Sequence, residues 1–361
     1  MNARWARIAP AVLAAALLGG CATLPPQVPV ERLVAEHNAN AERVPRLWAR
    51  VRMSVTLENE DGWAFTWGSA SPLAAPNGLL LLGKGQRPAG PHDFVLIGRE
   101  IAGVELFRLG SSAEQGVYYF WHTLRGGGEA YWGRQELAGA PGIEGLPFDP
   151  NQLLAVLTVS ELPRDLSKLP SVALTMSRDP QAYVLTYVDR LPASGRIGFR
   201  RRMYFRWADG EPRRPFRVEF LSPDGRVVMR AELSDYAPVA GPVGGGEPEE
   251  AVDPADAWLG GENLDAIDEE PAPEPAADEA NRPVMATHIV IERVDWPPER
   301  GPEGEPAPRS HNPVRRIELR LSDGTTEDRW DRDACRFEPP AGRVIQVDRG
   351  IQPGQPEKGR Q

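Results

Sequence analysis

Strict alternation of apolar and polar residues recurs along most of the chain. In 50–57, Val51, Met53, Val55 and Leu57 face one way, and Arg50, Arg52, Ser54 and Thr56 the other. Trp63, Phe65 and Trp67 alternate with Ala64 and Thr66. Phe199, Arg201, Met203, Phe205 and Trp207 oppose Arg200, Arg202, Tyr204 and Arg206. Val227, Met229, Ala231 and Leu233 oppose Val228, Arg230 and Glu232, and Ile317, Leu319 and Leu321 oppose Arg316, Glu318 and Arg320. A period of two marks strands with one apolar and one wet face. Turn signals separate the runs at 59–62, 76–78, 208–210, 222–225 and 322–324, each with an Asn-Gly or Asp-Gly pair or its near equivalent to supply positive φ. About a dozen strands in hairpin succession predict a mainly β fold: a half-open antiparallel barrel, or strongly curved sheet, around one core.

Helix is scarce. The stretch 29–50 carries Leu33, Val34, Val44, Leu47 and Trp48 and predicts one or two amphipathic helices before the first strand. In "DPNQLLAVL", Asp149 reads as an N-cap and Pro150 as the first helical residue, which outweighs a catalytic role for Asp149. The run "GVYYFWHTL" puts Val117, Tyr119 and Trp121 on one face and Tyr118, Phe120 and His122 on the other. Such bulk suits a strand packed on both faces, or packed on one and lining a cavity with the other. Tyr131 and Trp132 add to the aromatic load. The leading site is an apolar cavity lined by Val51, Met53, Trp63, Phe65, Trp67, Tyr119, Trp121, Phe205, Trp207 and Met229. An ordinary aromatic core is the alternative for each of them.

The charge is unevenly placed. The 361 residues carry a formal −10, yet thirteen Asp or Glu and no Lys or Arg fall within 241–281, and the rest of the chain is about +3. That acidic stretch, rich in Pro, Gly and Ala, has the composition of a disordered insert. It reads as a solvated insertion between two strands or as a loop that recruits a partner. Two further stretches, 297–313 and 350–361, read as loose.

Arg4 and Arg7 precede an apolar run, 8–18, that is too short to span a bilayer but fits a secretory signal. The run ends in Leu18-Gly19-Gly20-Cys21, which resembles the bacterial lipobox, whose cysteine becomes the acylated first residue of the mature chain. The organisation expected is a lipoprotein signal at 1–20, a tether at 21–30, one domain at 31–349 interrupted by the insert at 241–281, and a tail at 350–361. Two or more acyl chains on Cys21 would anchor the protein without a transmembrane helix. The alternative is an ordinary secreted protein with an incidental cysteine. Ala22 rather than Asp follows the cysteine, and by resemblance to the Gram-negative sorting rule this implies the outer membrane, facing the periplasm. Cys335 is then left without an intramolecular partner and reads as a buried spectator thiol rather than a reactive one.

Chemistry-bearing motifs are few. His37, His92, His122, His288 and His311 are scattered, and there is no HExxH, CxxC or GxSxG. Gly126–Gly128 and Gly244–Gly246 lack the Gly-Lys-Ser/Thr of a phosphate loop, and Lys84 in "GKGQ" is no better. No catalytic residue, metal site or cofactor is expected, and no concentrated basic patch suggests nucleic acid. An envelope hydrolase is the remaining enzymatic alternative.

A lipobox, an N-terminal helix and then hairpins with short helices inserted late resemble the LolA/LolB group of outer-membrane lipoprotein carriers and receptors. The runs that carry the likeness are Glu105–Ser112, Tyr118–His122, Tyr131–Gly133 and Leu146–Leu157, within 31–236 and more weakly beyond 283. The resemblance implies a half-open barrel, lidded by helices, that receives acyl chains or a lipoprotein. It also implies an exposed leucine on an early loop, for which "SASPLAAPNG" offers Leu73. The acidic insert is foreign to that group and is the candidate site for an envelope protein partner.

Overall fold

The computed structural model describes residues 27–58, 64–85, 92–100, 103–123, 128–137, 150–190, 197–207, 213–222, 225–241, 282–294, 314–339 and 341–349. Lipid attachment at Cys21, the acidic insert, Trp63, Asp149 and His311 lie outside the described residues.

Helix α1, Val30–Ala41, buries Leu33, Val34, His37, Asn38 and Ala41, one stripe at helical spacing. It ends earlier than the apolar pattern of 29–50 suggests. Pro45 disfavours helical geometry at the residue before it, and the chain turns into β1, Arg46–Glu58. Leu47 and Trp48 then fall on opposite faces of a strand, not on one face of a helix. The second helix, α2, is Pro150–Val156, with proline at its first position as the sequence suggested.

Fourteen more strands follow among the described residues. These are β2 Ala64–Gly68, β3 Gly78–Gly83, β4 Asp93–Arg99, β5 Glu105–Ser112, β6 Val117–His122, β7 Glu129–Arg134 and β8 Ser171–Arg178. Then come β9 Gln181–Arg190, β10 Ile197–Arg206, β11 Pro215–Leu221, β12 Val227–Pro238, β13 Val284–Arg293, β14 Val314–Thr325 and β15 Arg343–Gln346. They form one sheet in the order β15-β7-β6-β5-β4-β3-β1-β14-β13-β12-β11-β10-β9-β8, with β2 paired to β1. It is a strongly curved, unclosed, mainly antiparallel sheet; β15 on β7 is the one parallel pair among the described strands. The late strands β13 and β14 stand in its middle. Met53 lies opposite Leu319 and Val55 opposite Ile317, so β14 joins the early hairpins to the later ones.

The Ser322-Asp-Gly324 signal is not a hairpin turn. It lies inside β14, where Asp323 takes φ +54° and the register against β1 shifts between Trp48 and Arg50. This is a bulge, and Asp tolerates its left-handed position.

The concave face carries the main core, to which nearly every strand contributes: Val51, Met53, Leu80, Phe94, Phe120, Phe205, Val218, Ile289 and Ile317. The convex face divides in two. Over β10–β14 it is wet, and register aligns Arg202, Glu219, Arg230, Glu292 and Arg316 across successive strands. Opposite charges directly across strands stabilise the pairing, each by a few tenths of a kcal/mol up to about 1 kcal/mol. Over β3–β7 the convex face is covered by the C-terminal segment. Trp330 and Cys335 pack on Trp48, Leu79, Leu81, Val95 and Ile97, and Phe337 packs on Tyr119, Trp121 and Ala130. These strands are therefore buried on both sides, which explains the unbroken apolar runs of β3 and β4. The Cys335 thiol is fully buried, and that burial pushes its pKa up.

Candidate functional site

The concave face is closed by α1, α2 and the segment that follows α2. Leu33 and Val34 of α1, with Leu153, Leu154, Leu157 and Val159, sit in the same cluster as the sheet residues. The lid is stitched by polar side chains that replace peptide groups. The Asn38 amide donates to the Leu162 carbonyl at 2.8 Å and accepts from the Leu162 N–H at 2.7 Å. Asn40 makes the same two-way pair with Val284, at 2.8 Å in each direction, and so ties α1 to the start of β13.

His37 donates from Nε2 to the Ser160 carbonyl at 2.8 Å. A carbonyl only accepts, so this ring nitrogen carries the proton. Burial lowers the His37 pKa to about 4, with nearby Arg201 and Lys84 adding to the effect, and the ring is neutral at physiological pH. The Lys84 ammonium donates to the carbonyl of Ala41, the last residue of α1. A cation at a helix C-terminus complements the macrodipole and is stabilising. Burial also lowers Lys84, to about 8, against the pull of Glu161.

The sequence-predicted lining residues fall into three groups. Val51, Met53, Phe205 and Met229 lie in the inner core, where the first three have no accessible surface. Trp67 and Trp207 are half-buried and pack against that core, and Phe65 is half-buried two residues from Trp67 on β2. The Trp67 ring closes over paired glycines at the end of the face. A Cβ on Gly98 would lie 2.8 Å from both its Cη2 and the Met53 Cε. Tyr119 and Trp121 are elsewhere, on the convex face beneath Phe337. Tyr119 donates its hydroxyl to the Cys335 carbonyl at 2.9 Å and stacks on Phe337, centroids 5.1 Å apart. Alternation along β6 shows its two-faced bulk but cannot say which face meets the lid and which the C-terminal segment.

Leu73 is 97% exposed at the tip of the β2–β3 loop. The loop is pinned at its base. Asn77 accepts from the Met53 N–H at 2.6 Å and donates to the Met53 carbonyl at 2.8 Å, while Arg52 donates to the Ala74 carbonyl. Ser71 Oγ accepts from the Leu73 N–H at 3.3 Å. A large apolar side chain is thus held in solvent by an ordered loop.

Two groupings escaped sequence reasoning. Lys84, His37 and His92 converge beside the lid through contacts far apart in sequence, and no local motif announces them. On the convex face, His288 Nδ1 lies 3.1 Å from Ser234 Oγ and its Nε2 lies 3.1 Å from Glu318 Oε1. Burial raises the Glu318 pKa, but hydrogen bonds from Arg316 and His288 outweigh it and hold the carboxyl below its ordinary value. This Ser–His–Glu string stands on the open sheet, with Arg316 bound to Glu318 and Arg320 opposite His288. Strand register accounts for it, and we assign it no catalysis.

No family model matches the sequence, and no curated protein matches it. Solved structures do. One is a domain designated as an outer membrane lipoprotein-sorting protein, from Vibrio parahaemolyticus. It shares 11% identity, with 85% of this chain and 95% of that one covered at a TM-score of 0.40. A DUF1329 family protein from Desulfovibrio piger shares 10% identity over 86% and 98% at a TM-score of 0.41. A LolA superfamily protein from Nitrosomonas europaea shares 10% over 85% and 97% at 0.38.

Proposed function

We propose that the chain is an envelope lipoprotein, anchored through acylated Cys21 and facing the periplasm from the outer membrane, that binds an acyl chain or another apolar ligand beneath its lid. The task served is lipoprotein or lipid sorting. One observation carries the reading: the apolar concave face is closed by two helices and a loop tied down by a few side-chain hydrogen bonds, rather than by a second sheet. Displacing such a lid exposes a ready apolar surface, and an acyl chain regains about 0.8 kcal/mol for each CH2 it buries there. Leu73 adds a solvent-held apolar contact for a membrane or an acylated partner.

The test is native mass spectrometry of the chain carrying Cys21→Ser, with organic extraction of what travels with it. A stoichiometric lipid or fatty acid supports the reading. Protein that is bare, and still bare after incubation with phospholipid or lipoprotein, overturns it.

A second reading draws on the complete burial of Val51, Met53 and Phe205. On it the core is permanently filled, and the chain is a structural lipoprotein whose acidic insert recruits an envelope protein partner. Loss of such a partner on deleting 241–281, with apolar-ligand binding absent throughout, would favour it.

A further inference from the structure

Beside the lid lies a cleft of about 280 Å³, bounded by Glu42 after α1, by Lys84, Gly85 and His92 between β3 and β4, and by Leu154, Val159, Ser160 and Glu161. Its composition is graded. Leu154 and Val159 are core residues, 1% and 0% exposed, and form an apolar floor continuous with the concave face. The rim is polar. Lys84 spends one of its three donors on the Ala41 carbonyl. The Ser160 hydroxyl is buried and meets no hydrogen-bond partner among the described residues. An acceptor oxygen brought by a ligand would give that hydroxyl a direct partner.

Charge narrows the class of ligand. Lys84 faces Glu161, and Arg164 pairs with Glu42, so cations and carboxylates match one for one. Among the described residues, a phosphate or free carboxylate would meet two carboxylates with no surplus cation to receive it. An ester oxygen needs only donors. At about 30 Å³ per water the cleft holds roughly nine waters, room for a glyceryl ester but not for a bulky saccharide.

We propose that this cleft seats the uncharged, ester-bearing head of an acylglycerol whose chain lies under the lid. The inference rests on the apolar-ligand reading above and gives that ligand a polar end and a direction: head between Lys84 and Ser160, tail past Leu154 and Val159 toward the concave face.

The test displaces N-phenyl-1-naphthylamine from the chain carrying Cys21→Ser, with monoolein and with 1-octadecene, which has the tail without the ester. The wild-type site prefers monoolein. Ser160→Ala cuts the monoolein-to-octadecene preference about five-fold or more, the worth of one hydrogen bond, whereas Ser160→Thr retains it. Lys84→Met reduces the preference as well; should it fail to fold, the Ser160 pair still decides. An unchanged preference in Ser160→Ala overturns the head-group seat while leaving the apolar-ligand reading intact. A chain that binds neither the dye nor either competitor overturns both.

Discussion

The side-chain amide of Asn38 and the backbone of Leu162 exchange two hydrogen bonds across 124 residues of sequence, at 2.8 and 2.7 Å. Asn38 is 2% exposed, so neither partner has water to fall back on. Asn38→Leu strands the Leu162 N–H and carbonyl and should cost about 2–4 kcal/mol. Urea unfolding checks this.

His37 makes the lid sensitive to acid. Its pKa is about 4 in the folded chain and about 6.5 when unfolded, so between these values the unfolded chain binds more protons. The stability tied to neutral His37 is complete above pH 6.5 and is lost as pH falls toward 4, by roughly 3 kcal/mol. His37→Gln should flatten that part of the stability–pH curve, measured by denaturation at pH 4.5, 5.5 and 7.

The C-terminal segment is a structural cover rather than a tail. Trp330 is 4% exposed, accepts a hydrogen bond at its carbonyl from Arg46 Nη2 at 2.7 Å, and carries the Arg46 guanidinium 4.8 Å above its ring. Trp330→Ala should cost about 3–5 kcal/mol through lost burial and the cavity left over Leu79 and Leu81. The same substitution should speed proteolysis after residue 325, because the cover is then poorly held.

Leu73 should separate stability from function. It is fully exposed, so Leu73→Ser should change unfolding free energy by no more than about 0.5 kcal/mol. On the proposed function the same variant loses transfer of an acylated protein to liposomes. Transfer at the wild-type rate would remove Leu73 from the account.

Much of the sheet was legible because alternation is a local signal. Val51, Met53 and Val55, and Ile317, Leu319 and Leu321, point inward as their spacing required. What the sequence could not show is pairing. That β14 lies beside β1, and that Arg202, Glu219, Arg230, Glu292 and Arg316 make one row, follows from register between strands far apart in sequence. The same limit hid the two-way Asn clamps, whose partners are backbone groups. It also left Tyr119 and Trp121 expected beside a cavity although they stand beneath Phe337. At Ser322–Gly324 the turn chemistry was read correctly and its use was not, since a residue at positive φ serves a bulge as well as a hairpin.

On the proposed function, α1 and α2 must open apart from the sheet to admit an apolar ligand. Native-state hydrogen exchange of the chain carrying Cys21→Ser, with and without monoolein, tests it most directly. Amides of 33–41 and 153–157 should exchange through an opening well below the global unfolding free energy, and ligand should alter their exchange while β1, β3 and β14 stay unchanged. Lid amides that exchange only by global unfolding, with no response to ligand, would contradict it and leave a permanently filled core.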